Sequence, residues 1–230
     1  MPRQNQDETD RFLLIADISG YTEFVFSRKH DLRHAQYVIS ELLDSLLTAA
    51  RLPMRLAKLE GDAAFFQAPT GSDGNLAMAT SLEYFFPAFD ARRAALQEAN
   101  SCGCSACMGI GHLDLKIVAH RGPVLSYALH GFQELSGPAV ILVHRLLKNS
   151  VRRPRYMLLS EDAWQRLPGS FTNAVASVPH EEAYDDAGNI RLRLVVEPSF
   201  SHTNIRPEKR SKTGEFLRKG WRSLWIGLQP

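Results

Sequence analysis

The chain has 230 residues, an apolar content of 44% and a formal net charge of +2. This length is enough for one large domain with its own core, alone or with appendages. The near-neutral charge argues against a nucleic-acid-binding protein. The N-terminal segment MPRQNQDETD lacks the apolar stretch of a signal peptide, and no segment approaches the roughly 18 apolar residues of a membrane-spanning helix. We therefore expect a cytoplasmic protein.

The first half of the chain predicts a buried strand, a helix and a hairpin. Residues 12–16 (FLLIA) are all apolar, as in a strand that is covered on both faces, and the strand ends at Asp17. Apolar residues then recur at helical spacing in 32–50. The segment 53–68 is typical of two strands joined by a tight turn near Gly61.

The second half predicts a long helix followed by further strands and helices. The long helix covers 72–99 and contains Pro87, which we expect to kink or divide it. Alternating apolar residues predict a strand at 113–124, with VLSYALHG (124–131) as its partner. The remaining elements are a helix at 137–149, a strand at 155–160, a helix capped by Ser160 and a strand at 190–197. The order βαββαβ predicts an α+β, ferredoxin-like fold with a C-terminal extension.

The C-terminal segment differs in composition from the rest of the chain. We divide the sequence into a domain at 1–198, a polar linker at 199–215 and a basic amphipathic helix at 216–230. Residues 202–230 carry seven basic and two acidic side chains, a net charge of +5. The tail helix has two tryptophans on its apolar face, as in a membrane-surface anchor or a helix that docks on the body or a partner chain. Two glycines in this short segment favour docking.

Asp17 is the first candidate functional residue. A carboxylate at the end of a buried strand is costly unless a metal ion, an arginine or a helix N-terminus neutralises it. A second carboxylate, Asp62, lies on the turn of the predicted hairpin. The strand end and the turn therefore provide two acidic side chains that could face each other across one edge of a sheet.

Four segments resemble, in order, the class III nucleotidyl cyclases, the catalytic domain of adenylate and guanylate cyclases. LLIADISGYTEF (13–24) resembles the first metal motif of that family, and AKLEGDAAFF (57–66) is similar to its second. AHRGPV (119–124) resembles a later strand element, and GPAVILVHRLL (137–147) resembles a helix that ends in arginine. The insert CGCSAC (102–107), followed by LDLKIVAHRG, is similar to an uncharacterised bacterial branch of the superfamily.

The resemblance implies a metal centre. Asp17, Asp62 and the backbone carbonyl of Ile18 would hold two divalent cations, Mg²⁺ or Mn²⁺, which suit hard oxygen ligands. Cations in this position would neutralise a triphosphate and help to deprotonate the attacking hydroxyl. The turn from strand to helix after Ile18 would bind phosphates through its backbone amides. The resemblance implies that Gly20, Tyr21 and Thr22 in this turn would be the substrate-binding residues.

The resemblance also implies a head-to-tail homodimer whose active sites lie between the two chains. Lys58 matches the base-contacting lysine of adenylate cyclases, and Glu134 falls at the second base-contacting position. Arg145 matches the arginine that stabilises negative charge in the transition state. The ribose-positioning asparagine of the family is replaced here by Ile141, which cannot form a side-chain hydrogen bond.

The three cysteines of the chain lie in one insert at about 100–112. Cys102, Cys104 and Cys107, followed by His112, are a Cys₃His set that tetrahedral zinc accepts. Such an ion would be structural and would pin the loop between the long helix and the following strand. A disulfide is disfavoured in a reducing compartment, and the alternative to zinc is three small loop residues without a ligand.

The resemblance therefore predicts a nucleotidyl cyclase that converts a nucleoside triphosphate, with ATP favoured, to a 3′,5′-cyclic nucleotide and pyrophosphate. A pyrimidine nucleotide is an alternative substrate, because the base-contacting pair departs from the family pattern. A second hypothesis is a catalytically inactive module that binds a nucleotide or a protein; Ile141 favours it, whereas the retained Asp17 and Asp62 favour the enzyme. A third is another phosphoryl-transfer or phosphate-hydrolysing activity at the same carboxylates.

Overall fold

The structure is a computed structural model that describes residues 8–26, 32–99, 105–198 and 200. The strands in this part of the chain are β1 (Glu8–Ser19), β2 (Arg55–Glu60), β3 (Ala63–Pro69), β4 (Asp114–Leu129), β5 (Phe132–Ser136), β6 (Tyr156–Ser160), β7 (Val178–Tyr184) and β8 (Gly188–Val196). The helices are α1 (Tyr21–Phe26), α2 (Leu32–Ala49), α3 (Ser72–Glu98), α4 (Ser105–Met108), α5 (Pro138–Arg145), α6 (Glu161–Trp164) and α7 (Gly169–Thr172), with a 3₁₀ turn at Ile110–His112.

All of these strands form one sheet in the order β2-β3-β1-β4-β6-β8-β7, and β5 pairs with the far end of β4. From β4 to the edge strand β2, the first four strands of the chain therefore lie in the order 4-1-3-2 across the sheet. This is the strand order of the ferredoxin-like fold, and the predicted fold class is confirmed. β4 and β6 are parallel, whereas the other pairs are antiparallel.

The central strand β1 is buried because helices cover both faces of the sheet. Phe12, Leu14 and Ala16 pack in a core cluster with residues of α2 and α3. Leu13 and Ile15 point to the other face and pack in a cluster with residues of α5. A strand with both faces covered needs a continuous apolar run, which explains the sequence pattern that ends at Asp17.

β4 corrects one expectation from the sequence. It is a single strand over Asp114–Leu129, so the prediction that 124–131 forms a separate partner strand is wrong. Its second half continues past Pro123 and pairs with β5 instead. On β4, only Lys116–Ala119 pair with β6, so at Pro123 the strand has a neighbour, β1, on one side alone. Such a position tolerates a proline, which has no backbone N–H to donate.

Pro87 does not divide the long helix. α3 runs from Ser72 to Glu98 with Pro87 inside it. Phe85, Phe86 and Phe89 are fully buried around the proline, so packing holds both halves of the helix on the sheet. The predicted helix at 137–149 is shorter than expected, since α5 ends at Arg145.

Several predicted features lie outside the described residues. These are Cys102 and Cys104 in the insert, nearly all of the polar linker at 199–215, and the tail helix at 216–230. Within the described ranges, no helix has both the length and the apolar composition that crossing a membrane requires.

Candidate functional site

The fold brings the two predicted metal carboxylates together. β1 extends two residues beyond the predicted end at Asp17, to Ser19, and the register partners of Asp17 are Ala63 on β3 and Lys116 on β4. Asp62 lies in the two-residue turn between β2 and β3, and the Ile18 backbone N–H donates to the carbonyl oxygen of Asp62 at 3.3 Å. This hydrogen bond ties the turn to the strand end. Asp17 and Asp62 therefore share one corner of the sheet, which we call the carboxylate pair.

The carboxylate pair disfavours having both of its carboxyl groups ionised at once. The pKa of Asp62 is raised from 3.8 to about 7, first by burial, then by the charge of Asp17 and by a hydrogen bond between the two carboxyl groups. The backbone near Asp62 and the ammonium of Lys116 oppose this shift without cancelling it. Such a site favours a bound cation, because a cation stabilises both carboxylates in their charged form.

Lys116 is the nearest cation to Asp17. Its Nζ lies 2.9 Å from Asp17 Oδ2, and the two side chains are only 25% and 14% exposed. Burial alone lowers the pKa of Lys116, but the hydrogen bond and charge of Asp17, together with Tyr156 and Asp62, outweigh burial and raise it. Lys116 was not among the predicted site residues. The alternation of β4 was the available signal, because it places Lys116 on the opposite face from Leu115 and Ile117.

The turn that follows the carboxylate pair holds the predicted phosphate-binding residues. Gly20 has a φ of +85°, a conformation that side chains rarely adopt, and a Cβ there would lie 3.0 Å from the carbonyl oxygen of His112. Tyr21 begins α1, a helix of six residues, and packs against the core cluster that β1 forms with α2 and α3. Thr22 is exposed. The side chain of Ile18 is buried in the same core, so only its backbone is available as a ligand.

Lys58 and Glu134 form an ion pair on the same chain. Lys58 Nζ lies 3.3 Å from Glu134 Oε1, and both side chains are partly exposed. They line a groove of about 260 Å³ between β2, β5 and α5, which we call the Lys58 groove. Phe65 and Gln67 of β3 also line it. The two predicted base-contacting residues thus meet in one concave site that combines apolar and polar walls.

His144 and Glu60 are a second hydrogen-bonded pair in the Lys58 groove. His144 Nε2 lies 3.1 Å from Glu60 Oε2, and His144 Nδ1 is hydrogen-bonded to the carbonyl oxygen of Val140 at 2.8 Å. The His144 ring also contacts the Phe65 ring edge-on, at 5.2 Å between centroids. These residues were not predicted. Their pairing depends on how α5 packs on β1 and β4, which spacing along the sequence does not show.

Arg145 forms an ion pair with a residue that belongs neither to the carboxylate pair nor to the Lys58 groove. Arg145 Nη2 lies 2.6 Å from Asp186 Oδ2 in the turn between β7 and β8, and both side chains are about half exposed. Ile141, one turn earlier on α5, is 58% exposed, while Ala139 and Val143 face the core. Both Arg145 and Ile141 therefore point away from the core of their own chain.

Only two of the four residues of the predicted zinc set lie within the described part of the chain. Cys102 and Cys104 lie outside the described residues, whereas Cys107 packs against the main core and His112 is exposed in the 3₁₀ turn. Among the described residues, no group of three or more His, Cys, Asp or Glu side chains is placed to hold a metal ion. The zinc set stays a prediction.

The architecture of the chain is similar to that of solved cyclase domains. The adenylyl cyclase CyaB from P. aeruginosa covers 85% of this chain and 98% of its own, with 14% identity and a TM-score of 0.62. The guanylyl cyclase Cya2 covers 87% and 98%, with 13% identity and a TM-score of 0.62. The guanylate cyclase domain of RhGC from Catenaria anguillulae, described in complex with GTP, covers 83% and 98%, with 16% identity and a TM-score of 0.60. The chain therefore has the fold of the class III cyclase catalytic domain.

The chain belongs to the family described as "Protein of unknown function (DUF2652)", whose family model matches residues 39–156. That range includes Asp62, Lys58 and Lys116 but not Asp17. The chain is also 36% identical over 143 residues to "Uncharacterized protein Rv2561/Rv2562" of Mycobacterium tuberculosis. This match spans 62% of the present chain and 66% of the mycobacterial protein.

Proposed function

We propose that the protein is a metal-dependent nucleotidyl cyclase. It would convert a nucleoside triphosphate, with ATP favoured, to a 3′,5′-cyclic nucleotide and pyrophosphate. The observation that carries the proposal is the carboxylate pair: Asp17 and Asp62 share a corner of a cyclase fold and hold more negative charge than their neighbours neutralise. A fold without a ligand at this corner would have no need of two adjoining, partly buried carboxylates.

The residues present fit a divalent cation. Two carboxylates and the backbone carbonyl of Ile18 are hard oxygen donors of the kind that Mg²⁺ and Mn²⁺ prefer. The raised pKa of Asp62 supports this fit, because burial and then the neighbouring charge of Asp17 disfavour its ionised form, which a bound cation would stabilise. Cations held there would supply neutralisation of the triphosphate and a lower pKa for the 3′-hydroxyl.

The other predicted residues would bind and orient the nucleotide. Lys58 and Glu134 would hydrogen-bond the base in the Lys58 groove, where the structure pairs them at 3.3 Å. Arg145 would leave Asp186 and stabilise negative charge on the phosphates, and its exposure leaves the guanidinium accessible for this role. In a head-to-tail homodimer, Lys58 and Asp62 of one chain would serve different active sites, so each site would need both chains.

A second candidate is a cyclase-like module that binds a nucleotide or a protein without turnover. Ile141 is the observation that favours it. Its exposed side chain lies on α5 four residues before Arg145, where the resemblance implies an asparagine that positions the ribose. An isoleucine offers no hydrogen bond to a ribose, and the loss of one transition-state hydrogen bond lowers turnover about 100- to 1000-fold in other enzymes.

A turnover assay distinguishes the two candidates. The purified protein is incubated separately with ATP, GTP, CTP and UTP, in Mn²⁺ and then in Mg²⁺, and the products are identified by mass spectrometry. Asp62→Asn removes one carboxylate at constant volume, and Asp73→Asn at the exposed start of α3 is the matched control. A cyclic product that is lost only in Asp62→Asn supports the enzyme and identifies its base. No product from any nucleotide, with the protein folded and dimeric, favours the binding module.

A further inference from the structure

Lys116 occupies the position beside Asp17 where a cation is expected. It lies directly across from Asp17 in the register of β1 and β4, and the 2.9 Å contact is an ion pair with a hydrogen bond. A lysine ammonium is a compact single charge, so it balances one carboxylate but not two. The carboxylate pair thus already contains one positive charge that belongs to the chain itself.

We propose that Lys116 is a built-in counter-cation that competes with divalent cations for Asp17, so that metal binding requires the ammonium to leave this carboxylate. The inference rests on the proposed metal site and adds a constraint on how that site is loaded. Lys116 is a positioning residue in this account, since it acts on Asp17 rather than on the substrate.

The surroundings of Lys116 support competition rather than an unrelated structural role. Asp17 is its ion-pair partner in the described part of the chain. On the other side of β4, Tyr156 is its register partner, and the Tyr156 hydroxyl accepts a hydrogen bond from Asn149 Nδ2 at 2.8 Å. Burial raises the pKa of Tyr156, so its hydroxyl is neutral near neutral pH, where Asp17 and then Asp62 are the acids that act on Lys116.

Electrostatics fixes the direction of the effect. A divalent cation bound by Asp17 would lie close to a like charge in a partly buried site, where screening by water is weak. The same cation would also have to break the existing ion pair. Both factors weaken metal binding, so removal of the Lys116 charge strengthens it. An alternative role, in which Lys116 only holds Asp17 in place for the metal, predicts the opposite sign.

The test measures metal binding without nucleotide or turnover. Mn²⁺ is titrated into wild type and Lys116→Met, and free Mn²⁺ is followed by its electron paramagnetic resonance signal. Met keeps the length of the side chain and removes its charge. We expect Lys116→Met to bind Mn²⁺ at least about tenfold more tightly than wild type, and Lys116→Arg to resemble wild type. Lys148→Met, at an exposed position after α5, is the matched control and should leave the affinity unchanged.

The outcomes separate this inference from the proposed function. Unchanged or weaker Mn²⁺ binding in a folded Lys116→Met overturns the competition, while loss of binding in Asp62→Asn still supports the metal site. Absence of Mn²⁺ binding in both wild type and Lys116→Met overturns the metal site and the inference together. Circular dichroism checks folding, and Lys116→Gln replaces Lys116→Met if the methionine variant does not fold.

Discussion

The carboxylate pair and the Lys58 groove are both charged sites on the same face of the sheet, but their charges are arranged differently. In the groove, each acid has a base: Lys58 lies 3.3 Å from Glu134, and His144 lies 3.1 Å from Glu60. At the carboxylate pair, two acids share one ammonium, and the pKa of Asp62 rises to about 7.

This difference indicates what each site is suited to bind. A groove whose charged side chains are already paired can exchange hydrogen bonds with a neutral ligand such as a nucleobase at little electrostatic cost. A corner with unbalanced negative charge is instead suited to a cation. Substitutions that disturb one site should therefore leave the binding properties of the other unchanged.

The largest expected effect follows from removing one acid of the carboxylate pair. Asp62→Asn should lower cyclase turnover on the order of 1000-fold, because metal ligation contributes several kcal/mol to the stabilisation of charge in the transition state. Mn²⁺ binding should be lost with it. Thermal unfolding is the control, since the variant removes an unbalanced charge and should fold at least as stably as wild type. Retained turnover would exclude Asp62 from the metal centre.

Disturbing the Lys58 groove should have a smaller and more selective effect. Lys58→Ala should weaken nucleoside triphosphate binding about 10- to 100-fold, the loss expected for a charged hydrogen bond, and leave Mn²⁺ binding unchanged. Titration of fluorescent ATP, GTP, CTP and UTP analogues measures the effect and its dependence on the base. Arg55→Ala, an exposed cation on the same strand but outside the groove, is the matched control.

A mixing experiment tests whether the two sites meet between chains. At a nucleotide concentration well below saturation, the weaker binding of Lys58→Ala lowers turnover about 10- to 100-fold. Lys58→Ala and Asp62→Asn chains are then each expected to have at most about a tenth of wild-type turnover alone. If they exchange subunits at random in a head-to-tail dimer, half of the dimers contain one intact site, and about a quarter of wild-type turnover should return. No recovery despite verified subunit exchange would contradict an active site shared between chains.

Ile141 provides a gain-of-function prediction. Ile141→Asn should raise turnover up to about tenfold if a missing ribose hydrogen bond limits the reaction. The position is exposed, so the substitution should leave the unfolding temperature nearly unchanged. Steady-state kinetics with the preferred nucleotide measures the change, and Leu76→Asn on the exposed side of α3 is the control. A fall in turnover would mean that Ile141 itself packs against the nucleotide or the partner chain.

The smallest expected effect concerns stability rather than the two sites. His120 is buried, and its Nδ1 lies 2.8 Å from Ser160 Oγ. Burial lowers the pKa of His120, and the charge of Arg121 lowers it further. The charges of Asp162 and Asp10 oppose this shift without cancelling it. The unfolded chain therefore takes up this proton more readily than the folded one, and stability falls as pH drops below about 6.5. In His120→Asn, the decrease in Tm between about pH 7 and about pH 5 should be smaller than in wild type, as measured by calorimetry. An unchanged pH dependence would contradict this role.

The parts of the fold that could be predicted from the sequence are those set by local pattern. The apolar run of β1 was recognised from its sequence because a strand buried on both faces needs apolar residues throughout. The turn at Gly61 was recognised from its glycine, which has a φ of +67° that other residues rarely adopt. Ser160 was recognised as a helix N-cap, and its Oγ accepts the Ala163 N–H at 3.2 Å. Each of these features depends on residues close together in the chain.

The contacts that could not be predicted join distant segments. Lys116 meets Asp17 only because β4 pairs with β1 in one particular register. His144 meets Glu60 across 84 residues, which depends on how α5 packs on β1 and β4. β7 carries a proline and two adjacent glutamates, as is common at a sheet edge, so it lacks the alternating pattern of an interior strand.

The most direct test of the account is to locate the metal. Crystals of the protein grown with Mn²⁺ and a non-hydrolysable nucleoside triphosphate analogue would be measured with X-rays at the manganese absorption edge. The account predicts an anomalous peak in contact with the carboxylates of both Asp17 and Asp62, with the Lys116 ammonium moved away from Asp17. An analogue bound with no manganese at this corner, or manganese bound elsewhere on the chain, would contradict it.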